Sequence, residues 1–89
     1  MKDMDKRTTF LRFVGSRIRS FRKQAGLTQM QLAFMSDLDR SFIQKVEHGR
    51  QSISLENAWM ITEALRCDIS DIVPSALCSQ PQDVIDKEI

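Results

Sequence analysis

The chain has 89 residues, of which 42% are hydrophobic and 28% charged, as is usual for a single globular domain. Three Gly, two Pro and no Tyr are present, and this composition favours helix over sheet. No stretch approaches the roughly 20 apolar residues of a membrane span, and residues 1–7 lack the apolar segment of a signal peptide. We therefore expect a cytoplasmic, all-α protein without a membrane partner.

The charge is unevenly divided along the chain, although the net charge is only +1. Residues 1–50 hold eleven Lys and Arg against five Asp and Glu, whereas residues 51–89 hold two against seven. A basic half beside an acidic half fits one face for a polyanion and another kept clear of it. Two solvated surfaces that differ by chance fit equally well, so charge alone does not decide the function.

The first predicted element is a flexible, highly charged arm at residues 1–7. A helix follows from residue 8, with Thr8 or Thr9 as its N-cap. Gly26 ends that helix, because glycine readily takes the left-handed conformation after a helix. The helical spacing predicts an inner apolar stripe of Phe10, Phe13, Val14, Ile18, Phe21 and Ala25.

Two short helices are predicted next, joined by a tight turn. The first covers residues 29–36 after an N-cap at Thr28, and the second runs from an N-cap at Asp39 to a terminal glycine, Gly49. Ala33 is small where the second helix must approach closely. The inward positions are assigned to Leu32, Ala33, Leu38, Ile43 and Val46.

A fourth helix is predicted over roughly residues 55–66 after an N-cap at Ser54, and a fifth over residues 70–73 before Pro74. We expect Met30, Met35 and Met60 to be packing residues. Residues 75–89 form a predicted tail, so the folded domain is assigned to residues 8–74.

The outer face of the third helix carries only polar side chains without negative charge: Arg40, Ser41, Gln44 and Lys45. A helix that reads base edges in a DNA major groove needs such a face and a rigid apolar back. An ordinary helical hairpin with a solvated face has the same pattern, so the alternatives stay open on the pattern alone.

Two sequence motifs favour the helix that reads DNA over the ordinary helical hairpin. One is Gly-Leu-Thr-Gln at residues 26–29 followed by Leu-Ala at residues 32–33; the other is Ile43-x-x-Val46-Glu47-x-Gly49. With these motifs, residues 18–73 resemble the helix-turn-helix family of phage Cro and repressor proteins, also called XRE-like. Residues 38–43 also look like the controller proteins of restriction-modification systems. The resemblance implies a compact five-helix domain of the phage repressor type, with the helix-turn-helix at helices 2 and 3.

The resemblance also implies site residues. Base contacts are expected from Arg40, Ser41, Gln44 and Lys45; Arg40 would bind guanine bidentately, and Lys45 a base or a phosphate. Contacts with the DNA backbone are expected from Thr28, Gln29, Phe42, Arg50 and Gln51. Thr28 would offer its hydroxyl and its N–H, and Gln29 would bind a phosphate or a base edge. Phe42 cannot donate a hydrogen bond, so it either touches a thymine methyl or only shields the helix.

Three further expectations concern an ion pair, the end of a helix and a dimer interface. Arg22 and Glu47 match a partly buried ion pair of relatives, although Arg22 facing solvent beside Lys23 is the alternative. Arg66 stands where relatives often have Gly, so the chain there either avoids the left-handed conformation or adopts it with strain. A homodimer on a palindromic operator, with half-sites about 34 Å apart, would use Trp59, Ile69, Ile72, Val73 and Leu77.

The expected partners are double-stranded DNA, a second copy of the chain and, as a candidate, RNA polymerase. No cofactor, metal site or catalytic residue is predicted, because one His and two Cys eleven residues apart form no ligand cluster. The alternative function is a protein-interaction module of the antitoxin or antirepressor type, which uses the same fold and folds its tail on a partner.

Overall fold

The computed structural model describes residues 5–74, and within this range the chain forms five α-helices without strands. The helices are α1 (Lys6–Gln24), α2 (Gln29–Ser36), α3 (Arg40–Glu47), α4 (Leu55–Leu65) and α5 (Ile69–Ile72). The predicted all-α, five-helix architecture is therefore confirmed, while the predicted tail lies outside the described residues. None of the helices within this range is long and apolar enough to cross a membrane.

The start of α1 differs from the prediction. Asp5 is the N-cap, and its side chain accepts a hydrogen bond of 2.8 Å from the backbone N–H of Thr8. The predicted cap at Thr8 or Thr9 is wrong, because an aspartate carboxylate caps well and also interacts favourably with the positive helix end. The hydrogen bond from Thr8 lowers the pKa of Asp5.

The hydrophobic core lies where α1, α2, α3 and α4 converge and is closed by α5. From α1 it takes Val14 and Ile18, whereas Phe10 and Phe13 are 44% and 39% exposed. The broad predicted stripe is therefore wrong at Phe10, Phe13 and the exposed Ala25. The reason is that α1 packs mainly on α3 and α5, which cover only a narrow strip of it. The other buried apolar residues are Leu32, Ala33, Ile43, Val46, Ala58, Ile61, Leu65 and Ile72.

The helices α1 and α3 are in close contact at Gly15, in the middle of α1. A Cβ atom at this position would collide with the carbonyl oxygen of Val46 and lie 2.9 Å from that of Glu47. Gly15 therefore lets the backbone of α1 touch the last turn of α3. The sequence signal for this contact is the isolated glycine itself, which costs about 1 kcal/mol relative to alanine inside a helix.

Of the two alternatives for Arg66 at the end of α4, avoiding or adopting the left-handed conformation, the structure has the second, with φ of 59°.

The following helix α5 begins one residue earlier than predicted. Asp68 is its N-cap, and the N–H of Asp68 donates to the carboxylate of Asp71 at 2.9 Å. This local hydrogen bond fixes the start of α5 before Ser70.

We expect Gly15→Ala to destabilise the domain by about 1–3 kcal/mol, because the new methyl group forces α1 and α3 apart. At an unconstrained helix position the same change would stabilise by about 0.5–1 kcal/mol, so the sign of the effect is diagnostic. Urea unfolding of Gly15→Ala, with the exposed neighbour Ser16→Ala as control, checks it. A more stable Gly15→Ala would contradict the close contact.

Candidate nucleic-acid interface

The two helices α2 and α3 are joined by a turn of three residues, Asp37 to Asp39. Asp37 adopts the left-handed conformation with φ of 60°, and the N–H of Leu38 donates to the Ala33 carbonyl at 2.9 Å. Ala33 is only 4% exposed, in agreement with the prediction that a small residue is needed in α2. The turn thus sets α3 across α2 in one defined orientation.

The short helix α3 has two chemically different sides. Its inner side consists of the buried residues Ile43, Val46 and Glu47. The outer side carries the four predicted base-contacting residues, all exposed: Arg40, Ser41, Gln44 and Lys45. Helical spacing places these four on the side away from Ile43 and Val46, whereas Glu47, about two turns after Arg40, lies at the border between the two sides. Phe42 is half-buried and packs against the core, a position that matches shielding of the helix.

The two ends of α3 are built differently. Asp39 is in the N-cap position, but its side chain makes no capping hydrogen bond. At the other end Gly49 has φ of 72°, and the N–H of Arg50 donates to the Lys45 carbonyl at 2.9 Å. These features form a Schellman cap, which places the exposed Arg50 next to the end of α3. A Cβ atom on Gly49 would lie 2.8 Å from Cγ of Arg12, so α1 also requires glycine there.

The loop residue Gln51 is half-buried, and its side-chain amide donates to the Ser52 carbonyl at 3.2 Å. In the same loop Ser52 accepts a hydrogen bond of 2.8 Å from the Arg7 guanidinium. The predicted backbone contacts Arg50 and Gln51 are thus placed next to one another on a loop that α1 holds in position.

The structure brings Arg22 and Glu47 together as a buried ion pair. Nε of Arg22 donates to Oε2 of Glu47 at 2.6 Å, and Nη2 donates to Oε1 at 3.0 Å. Their side chains are 10% and 2% exposed. The remaining nitrogen, Nη1, donates to the Leu27 carbonyl at 2.8 Å. The hydrogen bonds that Arg22 donates to the Glu47 carboxylate raise the pKa of Arg22 above its ordinary value, so the guanidinium stays charged.

The start of α2 is held by a capping box that sequence reasoning missed. The hydroxyl of Thr28 accepts from the Gln31 N–H at 3.0 Å, and the Gln31 side chain accepts from the Thr28 N–H at 2.8 Å. The Thr28 N–H is therefore already bonded, which corrects the expectation that it is available to a phosphate. The signal was present, since Thr followed three residues later by Gln is a capping-box signature.

Gln29 is the first residue of α2 and lies beside the ion pair. Its side-chain nitrogen donates to Oε1 of Glu47 at 3.1 Å. This contact joins residues 18 positions apart and has no local sequence signal. Glu47 thus accepts hydrogen bonds from both Arg22 and Gln29.

The predicted dimer residues differ in how far they are exposed. Trp59 is 56% exposed, and Ile69 and Val73 are half-buried. Ile72 is only 1% exposed because it packs inside the domain, so its assignment to an interface is wrong. Leu77 lies outside the described residues. An unpredicted candidate is Leu55, which is 78% exposed one helical turn before Trp59.

Two capped helices with a tight turn, a buried back and an exposed polar face define a helix-turn-helix protein. Residues 18–72, more than half of the chain, match the family model described as helix-turn-helix (HTH_3). The chain belongs to this family, as the resemblance of its motifs predicted.

The named relatives are regulators. The chain is 40% identical over 60 residues to the immunity repressor protein of Bacillus phage phi105, and the match covers 67% of this chain and 42% of that protein. It is 33% identical over 60 residues to control protein C.BamHI of Bacillus amyloliquefaciens, covering 66% and 74%.

A solved structure of a regulator is also similar to this chain. The restriction-modification controller protein C.AhdI of Aeromonas hydrophila superposes with a TM-score of 0.68 at 39% identity, covering 70% of this chain and 94% of that chain. The named relatives are thus repressor and controller proteins rather than enzymes, and this chain shares their helix-turn-helix domain.

We expect Glu47→Ala to cost about 2–4 kcal/mol of stability, because it leaves the buried Arg22 guanidinium without its charged partner. The matched control is Glu63→Ala, which removes an exposed glutamate and should change stability by less than about 0.5 kcal/mol. Thermal unfolding compares the two variants. Equal melting temperatures would contradict a stabilising ion pair.

Proposed function

We propose that the chain regulates transcription by binding a palindromic operator in double-stranded DNA as a homodimer, and that it acts in the cytoplasm. The carrying observation is the outer face of α3, where Arg40, Ser41, Gln44 and Lys45 are all exposed. Behind that face, Ile43 and Val46 are at most 2% exposed. A rigid helix with donors and acceptors on its free side can enter a major groove without reordering.

The chemistry of each outer side chain fits a role. Arg40 offers two parallel donors to O6 and N7 of guanine, and Gln44 can donate and accept at adenine. Ser41 lies beside Arg40 on the first turn, and Lys45 reaches a base or a phosphate. Arg50, on the adjacent loop, adds a backbone contact that fixes the register on the duplex.

Homodimer formation follows from the size of the site. One helix reads only a few base pairs, whereas two helices related by a two-fold axis read two half-sites about 34 Å apart. The exposed Leu55 and Trp59 on α4, with the half-buried Ile69 and Val73, are the apolar residues that a second copy would cover. A dimer bound near a promoter would block RNA polymerase or contact it.

Selection of bound duplexes from a random pool tests this function. We expect a palindromic site with a guanine whose preference depends on Arg40. Arg40→Ala should cost about 1–3 kcal/mol on the selected duplex and relax the preference at that base pair. Arg66→Asn, at the end of α4, is the control and should leave the preference unchanged. A pool without sequence enrichment would contradict the proposal.

A second candidate, the protein-interaction module, is favoured by one surface. Met30, Phe34 and Met35 on α2 are 63%, 86% and 52% exposed, so the expectation that Met30 and Met35 are packing residues is wrong. Contiguous exposed apolar side chains are typical of sites that contact other proteins.

Salt dependence of DNA binding separates the two functions. With six to ten phosphate contacts per dimer, DNA affinity should fall by roughly 10³–10⁵ between 50 and 200 mM salt. Fluorescence anisotropy of a labelled duplex measures the affinity, and Phe34→Ser, which alters only the apolar surface, should follow the same salt curve. No affinity for any duplex at low salt would favour the interaction module.

A further inference from the structure

An apolar groove lies between α1, α4 and α5 and has a volume of about 380 Å³. Its floor includes the side chains of Val14, Ala58 and Ile72, which are buried in the hydrophobic core. Its rim includes two exposed apolar side chains, Phe10 at 44% and Leu55 at 78%. The volume lies within the roughly 300–1,000 Å³ of clefts that enclose a small ligand. The groove can therefore take up a few apolar side chains and so remove the rim from water.

The chain leaves the described domain at the edge of this groove. Val73 is one of the lining residues, and Pro74 follows it directly. Residues 75–89 lie outside the described part of the chain. Within them, the segment 83–89 has three large apolar residues, Val84, Ile85 and Ile89. Because the segment begins nine residues after Pro74, a connection of up to roughly 30 Å is long enough to bring it into the groove.

The charges of the groove and of the segment 83–89 are complementary. The helix α1, which forms one wall, carries seven Lys and Arg but neither Asp nor Glu. Arg7 itself lines the groove, where its guanidinium donates to the Ser52 hydroxyl at 2.8 Å. The segment has three acidic residues and one Lys. This attraction favours the segment over a neutral or basic apolar peptide.

Covalent attachment favours the same ligand. A ligand joined to its site by a short connection binds at an effective concentration in the millimolar range. A second copy or another protein present at micromolar concentration must therefore bind roughly a thousandfold more tightly to occupy the groove equally well.

We propose that residues 83–89 dock in the groove of their own chain, with the apolar side chains over its floor and the acidic ones toward α1. Leu55, Ile69 and Val73 line the groove and also belong to the proposed dimer surface. The docked segment and a second copy therefore compete for these residues, and docking weakens the homodimer. The competition rests on the proposed function, whereas the docking does not.

A nitroxide spin label on the segment tests the docking by paramagnetic broadening. The label is attached to Lys87→Cys in the full chain, after Cys67→Ser and Cys78→Ser have removed the other thiols. If the segment lies in the groove, the amide resonances of Phe10 and Leu55 should lose most of their intensity. Broadening spread evenly over the domain, or absent from the groove, would overturn the docking.

Two control samples sharpen this experiment. With the same label, Ile85→Asp should restore the resonances of Phe10 and Leu55, and Phe34 on α2 should keep its intensity in every sample. A mixture of ¹⁵N-labelled chain without the nitroxide and unlabelled chain with it separates the two copies. Broadening in this mixture would place the segment in the groove of a second copy and overturn docking within one chain.

Sedimentation equilibrium tests the competition. Ile85→Asp should lower the dissociation constant of the homodimer by about tenfold, because only chains with a free groove can associate. Ser79→Asp adds the same charge outside the segment and should leave the constant unchanged, and circular dichroism verifies that both variants are folded. An unchanged constant for Ile85→Asp would overturn the competition. If no dimer forms at any concentration, the proposed homodimer fails as well, whereas the broadening experiment still decides the docking.

Discussion

The orientation of the helix-turn-helix depends on the hydrogen bonds that the Arg22 guanidinium makes. From α1 it reaches both oxygens of Glu47 at the end of α3 and the Leu27 carbonyl just before α2. Burying these charges is costly unless each is paired and hydrogen-bonded, so a change in the angle between α2 and α3 would expose or orphan them. The same carboxylate holds Gln29 at the start of α2. One buried pair therefore connects three helices and the outer face that α3 presents.

Two glycines let α1 pack closely against the end of α3, where this pair lies. Gly15 lets the backbone of α1 touch the last turn of α3, and Gly49 lets the chain leave α3 directly beside Arg12. Because the two helices are this close, the side chain of Arg22 in α1 is long enough to reach Glu47 at the end of α3. The exposed Arg50 follows Gly49 immediately, so the close packing also places a cation beside the outer face of α3.

Local chemistry explains which features the sequence could predict. The bounds of α2, the terminal glycines and the inward Ile43 and Val46 follow from caps and from helical periodicity, which act within a few residues. The exposure of Phe10 could not be predicted in this way, because it depends on how much of α1 its neighbours cover. The contact between Gln29 and Glu47 likewise joins distant residues. The burial of Ile72 could not be predicted either, because an apolar residue on a short helix fits a core and an interface equally well until the packing of α5 on α1 and α4 is known.

The most direct test of the central assignment is an NMR titration of the ¹⁵N-labelled protein with a palindromic duplex recovered by selection. If the outer side of α3 binds the major groove, the largest shift changes will fall on residues 40–45, with further changes at Gln29 and Arg50. The resonances of α4 should not shift in response to the duplex, because these residues contact the second copy of the chain and not the DNA. Shift changes confined to Phe34 and its neighbours on α2, or none at saturating duplex and low salt, would contradict the assignment.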